Sequence, residues 1–190
     1  MRRYEVFQQL LAALRGEEGV GPLVVCNIGY PSRELYGLGD QPYFFYMLGS
    51  MGLASSIGLG LALNTERRVV ALDGDGSVLM NLGTLATIAN AAPPNYTLLI
   101  IDNASYGSTG DQPTFTAGRT RLAEMARGAG VAQVFDAPGE EAAPILRRCL
   151  AEPGPQVIAA HVEPGSVPGQ IIPLVPTAIR DRFMGAVSAR

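Results

Sequence analysis

Short, uninterrupted runs of Val, Ile and Leu alternate with helix-forming segments along this chain of 190 residues. Six such runs stand out, "PLVVCNIG", "FFYML", "RRVVALD", "YTLLIID", "VAQVFDA" and "PQVIAAHVE". A strand without polar alternation is buried on both faces, as happens when helices cover both faces of a parallel sheet. The sequence therefore predicts an α/β fold with three layers, α/β/α, and a mainly parallel sheet of about six strands.

Helical segments are predicted between these strands. They include an amphipathic N-terminal helix, a Gly/Ser-rich helix over 50–63, a helix over 77–91 capped by Ser77, and a final helix "TAIRDRFMGAV" after an irregular tail rich in Pro and Gly. We expect residues 1–190 to form a single domain, because a chain of this length buries about 70% of its unfolded surface.

The composition excludes several classes of function. A net charge of −3 without a basic run argues against nucleic acid as a partner. Cys26 and Cys149 lie far apart without a CxxC motif, which argues against a disulfide framework, a zinc site or an iron–sulfur cluster. Charged residues make up only 16% of the chain, so we expect another chain to cover part of its surface.

We interpret the apolar segment "YMLGSMGLASSIGLGLAL" as a buried helix rather than a membrane span, and we expect a cytoplasmic protein.

Two acidic turns follow neighbouring strands, "DGDGS" from Asp73 and "DNASYG" from Asp102. A calcium-binding EF-hand loop is excluded because Val78 and Thr84 stand where Gly and Glu are required. A Rossmann fingerprint is excluded because the stretch "GDGSVL" lacks the third glycine, and a Walker A loop is excluded because the chain has no Gly-Lys-Ser/Thr triplet. A tight turn that merely opens a helix remains the alternative.

The spacing of the two turns favours a metal that bridges to a phosphate. The residues from Ser77 to Asp102 suffice for one helix and one returning strand, which places Asp75 and Asn103 at the carboxyl ends of two parallel strands. Ligands bind at that edge of an open α/β sheet. A carboxylate repels a diphosphate, and a bound Mg²⁺ reverses that effect.

The two turns together resemble the signature of thiamine-diphosphate (TPP) enzymes, GDG followed after about 25 to 30 residues by Asn-Asn. Asp102 replaces the first Asn of that pair. The resemblance implies that Asp75, the Asn103 side chain and the Ser105 carbonyl bind Mg²⁺. It also implies that the cofactor site includes the remaining residues of the two motifs, which are Gly74, Gly76, Ser77, Tyr106 and Gly107.

A second segment, "MLGSMGLASSIGLGLAL", resembles the part of these enzymes that holds the two rings of TPP. The resemblance implies that the Gly49 carbonyl accepts the aminopyrimidine N–H, that Ser50 belongs to the cofactor site and that Met51 supports the bent cofactor; the alternative for Met51 is an ordinary core methionine. For Asn27 and Gly29, which end the first strand, two roles are open: they line the diphosphate, or they form a turn at the end of the strand.

Most of the chain resembles the β subunits of sulfopyruvate decarboxylases, and phosphonopyruvate decarboxylases are similar. This implies nonoxidative decarboxylation of 3-sulfopyruvate to sulfoacetaldehyde and CO2, a step toward coenzyme M. A TPP-binding subunit of a 2-oxoacid:ferredoxin oxidoreductase and a noncatalytic TPP-binding subunit remain alternatives. Polar residues of the loop "YGSTGDQPT" either contact the substrate or stabilise the loop, namely Ser108, Thr109 and Gln112. Arg33 either binds the sulfonate or pairs with Glu34 or Asp40.

The catalytic residues are not identified in this chain. In the resembled family a glutamate on a separate pyrimidine-binding domain activates the cofactor, and this chain has no room for such a domain. Glu5, Glu17, Glu18 and Glu34 are interpreted as surface charges, and His161 as a structural residue. We therefore expect the activating glutamate on a pyrimidine-binding α subunit that forms a hetero-oligomer with this chain.

Overall fold

A six-stranded parallel sheet forms the centre of the computed structural model, which describes residues 1–16 and 20–188. Its strands, in spatial order, are β2 (Phe44–Tyr46), β1 (Leu23–Cys26), β3 (Val69–Gly74), β4 (Tyr96–Asp102), β8 (Gln156–His161) and β7 (Gln133–Pro138). A separate antiparallel ribbon pairs β5 (Ser105–Tyr106) with β6 (Gln112–Pro113). All six predicted strands form, and the predicted α/β class with a parallel sheet is confirmed.

Helices cover both faces of this sheet. On one face, α1 (Arg3–Arg15) contacts both α2 (Tyr30–Gly39) and α7 (Ala142–Ala151), and α3 (Ala54–Ala62), α5 (Gly83–Ala91) and α6 (Leu122–Gly128) form the other layer. The short helix α4 (Asp75–Leu79) follows β3, and α8 (Pro176–Ser188) packs on the edge strand β2. No helix in the described part of the chain is long and apolar enough to cross a membrane.

Two helix predictions were wrong at their boundaries. The helix predicted over 77–91 begins at Asp75 with Gly74 as its N-cap, and it is interrupted between α4 and α5, so Ser77 lies inside the first turn and is not the cap. The helix predicted from Ser50 begins only at Ala54, because Ser50 and Gly52 have positive φ angles of 60° and 95° that a helix cannot contain.

The helix α2 was not predicted. It begins at Tyr30, where Pro31 occupies the start of the helix, a position at which the missing N–H of proline does no harm. Its sequence contains Gly37 in the interior and Gly39 at the last position, and these glycines weaken the helical signal. The helix carries a buried glutamate that faces the N-terminal helix.

Glu34 lies on α2 and is buried, with only 2% of its surface exposed, so its interpretation as a surface charge was wrong. Both carboxylate oxygens of Glu34 accept hydrogen bonds from the Arg3 guanidinium, at 2.7 and 2.9 Å, and the backbone N–H of Val167 also donates to it. This pair joins α1, α2 and the segment that follows β8. Glu5 is exposed as predicted, whereas Glu17 and Glu18 lie outside the described residues.

Candidate functional site

The two acidic turns meet at the carboxyl edge of the sheet because β3 and β4 are adjacent and parallel. Gly74 pairs in register with Ile101, so the chain leaves both strands at the same level. Asp75 and Asn103 follow immediately, and both are buried. The two turns are therefore close enough for side chains from both to bind one metal ion, since the Asn103 amide lies 3.1 Å from Asp75 Oδ1.

Three groups converge between these turns: the Asp75 carboxylate, the Asn103 amide and the Ser105 carbonyl. With its nitrogen turned toward the other two, the Asn103 amide donates to Asp75 Oδ1 at 3.1 Å and to the Ser105 carbonyl at 2.9 Å. With its oxygen turned there, three oxygens cluster without a hydrogen between them, an arrangement that a cation stabilises. A carboxylate, an amide oxygen and a carbonyl are the hard ligands that Mg²⁺ prefers, so this donor set fits the ion.

The Asp75 carboxylate is only 1% exposed. Burial raises its pKa, while hydrogen bonds from Thr114 and Thr116 oppose that shift and the charge of Asp102 adds to it. Both threonine hydroxyls contact the Oδ2 atom of Asp75, at 2.5 and 3.0 Å. The other oxygen, Oδ1, faces Asn103. A bound cation at Oδ1 would stabilise the charged form of this carboxylate.

The first turn of α4 requires glycine because Tyr106 packs directly on it. A Cβ added to Gly76 would lie 2.3 Å from Cε1 of the Tyr106 ring. In the same turn, the Ser77 hydroxyl accepts a hydrogen bond from the Gly52 N–H at 2.9 Å. This bond joins the Gly/Ser-rich segment to the predicted diphosphate turn. The free N–H groups of a helix start are suited to bind a phosphate there.

A cavity of about 190 Å³ opens at this edge of the sheet. Most of the residues predicted for the cofactor or substrate line it, namely Asn27, Met51, Gly74, Asp75, Gly76, Ser77, Asn103, Ser105, Tyr106, Gly107, Ser108 and Thr109. The structure thus brings together both signature turns, the end of β1 and Met51. Met51 is half-buried and lines this cavity, so it is not an ordinary core methionine.

Four predicted residues do not line the cavity: Gly29, Gly49, Ser50 and Gln112. Gly29 lies beside it, because a Cβ there would approach the Ser108 hydroxyl at 3.0 Å, whereas Gly49 and Ser50 are exposed. The Gln112 amide donates to the Thr109 carbonyl at 2.8 Å and its oxygen accepts from the Thr109 hydroxyl at 2.9 Å. Loop stabilisation, the alternative that the sequence left open, therefore describes these two side chains.

The predicted ion pairs of Arg33 do not form. Glu34 pairs with Arg3, Asp40 pairs with Arg182, and the Arg33 guanidinium lies 5.9 Å from the centre of the Tyr30 ring. A role of Arg33 at the sulfonate stays a prediction.

Other residues at the site were missed in the sequence. The cavity is also lined by Arg3, Phe7, Ile28, Tyr30, Pro31 and Asp73. Only Asp73 had a signal, because it stands beside the GDG motif. Burial raises the pKa of Asp73 to about 6. The tertiary fold brings in the others from α1, from the turn after β1 and from the start of α2, which no local pattern connects to the motif.

His161 ends β8 next to Asp102, with Nδ1 3.6 Å from Asp102 Oδ2 and Nε2 2.6 Å from Asp136 Oδ1. This histidine links two strand ends and does not line the cavity, in keeping with the structural role predicted for it.

A parallel α/β sheet with an acidic, oxygen-rich pair of turns at its carboxyl edge is the arrangement expected of the TPP-binding domain of TPP enzymes. The family model for the C-terminal TPP-binding domain of thiamine pyrophosphate enzymes matches residues 28–160. The chain belongs to this family and, within it, to the sulfopyruvate decarboxylase β subunits, as its most similar relatives show.

The chain is 45% identical to sulfopyruvate decarboxylase subunit beta of Methanocaldococcus jannaschii, over 98% of this chain and 97% of the relative. It is 44% identical to the subunit beta of Methanococcus maripaludis, over 98% of both chains. Phosphonopyruvate decarboxylase of Streptomyces viridochromogenes is 39% identical over 98% of this chain, which spans 46% of that protein. The predicted resemblance is thereby confirmed.

Solved structures show the same fold. Benzoylformate decarboxylase from Polynucleobacter necessarius matches with a TM-score of 0.70 at 18% identity, over 88% of this chain and 34% of that one. A 2-oxoglutarate:ferredoxin oxidoreductase from Magnetococcus marinus matches with a TM-score of 0.69 at 17% identity, over 84% of this chain and 61% of that one. At these identities the likeness concerns the fold alone.

Proposed function

We propose that this chain is the diphosphate-binding subunit of a TPP- and Mg²⁺-dependent decarboxylase that converts 3-sulfopyruvate to sulfoacetaldehyde and CO2, a step toward coenzyme M. The observation that carries this proposal is the convergence of Asp75 Oδ1, the Asn103 amide and the Ser105 carbonyl at the carboxyl edge of the sheet. The relatives named sulfopyruvate decarboxylase subunit beta, which match almost end to end, support the choice of substrate.

The residues of this chain bind and orient the cofactor. Asp75, Asn103 and the Ser105 carbonyl would hold Mg²⁺ against the diphosphate, and the turn of Gly76 and Ser77 would hold the diphosphate itself. Met51, at the cavity wall, would support the rings. When bound, TPP would supply a nucleophilic carbon and an electron sink for the electron pair that stays behind on the substrate when CO2 leaves.

A second chain is needed to complete the site. The cavity of about 190 Å³ is smaller than the roughly 300 to 1,000 Å³ typical of cofactor pockets, so this chain provides only part of the wall. Glu34, a buried glutamate whose partner Arg3 lines the cavity, is engaged by Arg3 and by the Val167 N–H. A pyrimidine-binding α subunit would supply the activating glutamate.

Exposed apolar side chains stand where such a subunit would dock. Leu48, Leu53 and Met80 are 60%, 42% and 62% exposed. A Cβ at Gly52 would meet Met80 Cβ at 3.1 Å, so Met80 lies against the turn that leads from Met51 into α3. Covering this surface would also close the cavity. Both cysteines are free and buried, which fits the cytoplasm, where thiols stay reduced.

The proposal is tested by measuring CO2 release from 3-sulfopyruvate with TPP and Mg²⁺. This chain, an α subunit and the mixture are assayed separately. We expect turnover only in the mixture, and full turnover by this chain alone would contradict the two-subunit arrangement. TPP binding without turnover in any mixture would favour a noncatalytic subunit.

A phosphonopyruvate decarboxylase is the second candidate, favoured by the match to the Streptomyces viridochromogenes protein. Its substrate carries a phosphonate in place of the sulfonate. Turnover of phosphonopyruvate but not of 3-sulfopyruvate by the same mixture would move the assignment to that activity. An oxidoreductase function is supported only by a likeness of fold.

A further inference from the structure

The loop after β4 brings two threonines behind the Asp75 carboxylate. The ribbon of β5 and β6 turns the chain back, and the Thr114 N–H donates to the Ala104 carbonyl at 3.0 Å, which anchors the end of the ribbon beside β4. Thr114 is buried, and Thr116 is half-buried in the short 3₁₀ turn that follows. Neither residue lines the cavity, but both hydroxyls contact Asp75, which does.

The Thr116 hydroxyl lies among three oxygens. Its Oγ1 atom is 3.0 Å from Asp75 Oδ2, 2.8 Å from Asp102 Oδ1 and 2.8 Å from Thr114 Oγ1. A hydroxyl has one proton to donate and lone pairs that accept. Thr114 is only 2.5 Å from Asp75 Oδ2 and donates to it, so Thr116 can give its proton to either carboxylate.

This arrangement fixes the orientation of Asp75. A carboxylate attached to a single rotatable bond would otherwise turn, and two hydroxyl contacts at Oδ2 leave Oδ1 directed at Asn103 and the Ser105 carbonyl. Thr116 also contacts Asp102, so the ends of β3 and β4 are held at a fixed separation. Partners behind a metal ligand orient it and commonly change metal affinity by about 10- to 100-fold.

We propose that Thr116 is a positioning residue for the metal: its hydroxyl, between Asp75 and Asp102, holds the Asp75 carboxylate with Oδ1 toward the metal. The inference rests on the proposed metal site, because it assigns a role behind the ligand that the proposed function requires. Thr116 does not line the cavity, so its effect would pass through Asp75. Its hydroxyl, rather than its methyl group, carries the role.

Three variants separate the hydroxyl from the shape of the side chain. Thr116→Val keeps the shape and removes the hydroxyl, whereas Thr116→Ser keeps the hydroxyl and removes the methyl group. The matched control is Thr87→Val on α5, where the threonine is exposed and its hydroxyl contacts only the Gly83 carbonyl of its own helix. Thermal melting without cofactor shows whether each variant folds.

The measurement is the Kd of Mg²⁺ at saturating TPP, by calorimetry on the complex with the α subunit, together with the Mg²⁺ dependence of turnover. We expect Thr116→Val to raise the Kd by about 10- to 100-fold, with kcat largely recovered at saturating Mg²⁺. Thr116→Ser and Thr87→Val should stay close to the wild type.

Equal Mg²⁺ affinity in Thr116→Val and the wild type would overturn the inference, as would an equal loss in Thr116→Ser, which would assign the effect to packing. If Thr116→Val does not fold, Thr116→Ala takes its place in the same comparison with Thr116→Ser. Failure of the wild-type complex itself to bind Mg²⁺ with TPP would contradict the proposed function instead, so the two failures are distinguishable.

Discussion

Replacing Asp75 by Asn should remove the metal site while leaving the fold intact. The change keeps the side-chain shape and takes away one negative charge at a position that is 1% exposed. Because the Thr114 hydroxyl donates to Oδ2 and the Thr116 hydroxyl contacts the same atom, the new amide would place its oxygen there and turn its NH2 group toward Asn103. The metal would then meet a donor where it requires an acceptor.

The size of the effect follows from Coulomb's law. Two unit charges about 4 Å apart interact by about 4 kcal/mol at an effective dielectric constant of about 20. Since about 1.4 kcal/mol corresponds to a tenfold change in affinity, the loss of Mg²⁺-dependent TPP affinity should be about 1,000-fold. Burial raises the pKa of Asp75, so the buried charge destabilises the cofactor-free fold and its removal should not lower the melting temperature.

The assay is calorimetric titration of TPP with and without Mg²⁺ into the complex with the α subunit. Asp181→Asn, on the exposed surface of α8, is the matched control and should bind TPP like the wild type. Unchanged Mg²⁺-dependent affinity in Asp75→Asn would refute the assignment of the metal to this turn.

Three further predictions concern stability and association. Burial raises the pKa of Asp73 to about 6, against about 3.9 in an unfolded chain, so the unfolded state binds fewer protons between these two pH values. The free energy of unfolding should therefore fall by about 3 kcal/mol as the pH rises from about 4 to about 6. Urea titrations of the cofactor-free protein should show this fall, and Asp73→Asn should abolish it. Gly76→Ala should lower the free energy of unfolding by about 1 to 3 kcal/mol in urea titrations, because the Tyr106 ring must move. In a Tyr106→Ala background the loss should be smaller, and an equal loss would argue against this contact. Met80→Asp should weaken association with the α subunit, measured by gel filtration, because it would bury an unpaired charge in the interface. The control Met125→Asp, at an exposed position on α6, should associate like the wild type. Intact association of Met80→Asp would place the interface elsewhere.

The sheet could be predicted because burial on both faces leaves a direct record in the sequence. Every residue of β4 is buried, and its seven positions carry the apolar run "YTLLIID". The proximity of Asp75 and Asn103 followed from the same reasoning, since adjacent parallel strands end at one edge.

Features that depend on tertiary contacts could not be predicted. Glu34 is buried because Arg3, 31 positions earlier, neutralises it, and no local pattern records that pair. The positive φ angles of Ser50 and Gly52 delay the start of α3, although serine rarely adopts such a conformation. Thr116 and Asp75 are 41 positions apart in the sequence, and they meet only because the β5–β6 ribbon folds the chain back.

The central claim, that the two turns hold a metal against the diphosphate of TPP, is tested most directly by diffraction. Crystals of the complex with the α subunit, grown with TPP and Mn²⁺ in place of Mg²⁺, should give an anomalous difference peak within about 2.3 Å of Asp75 Oδ1, the Asn103 side-chain oxygen and the Ser105 carbonyl. A metal peak on the diphosphate that none of these three oxygens contacts would contradict the claim.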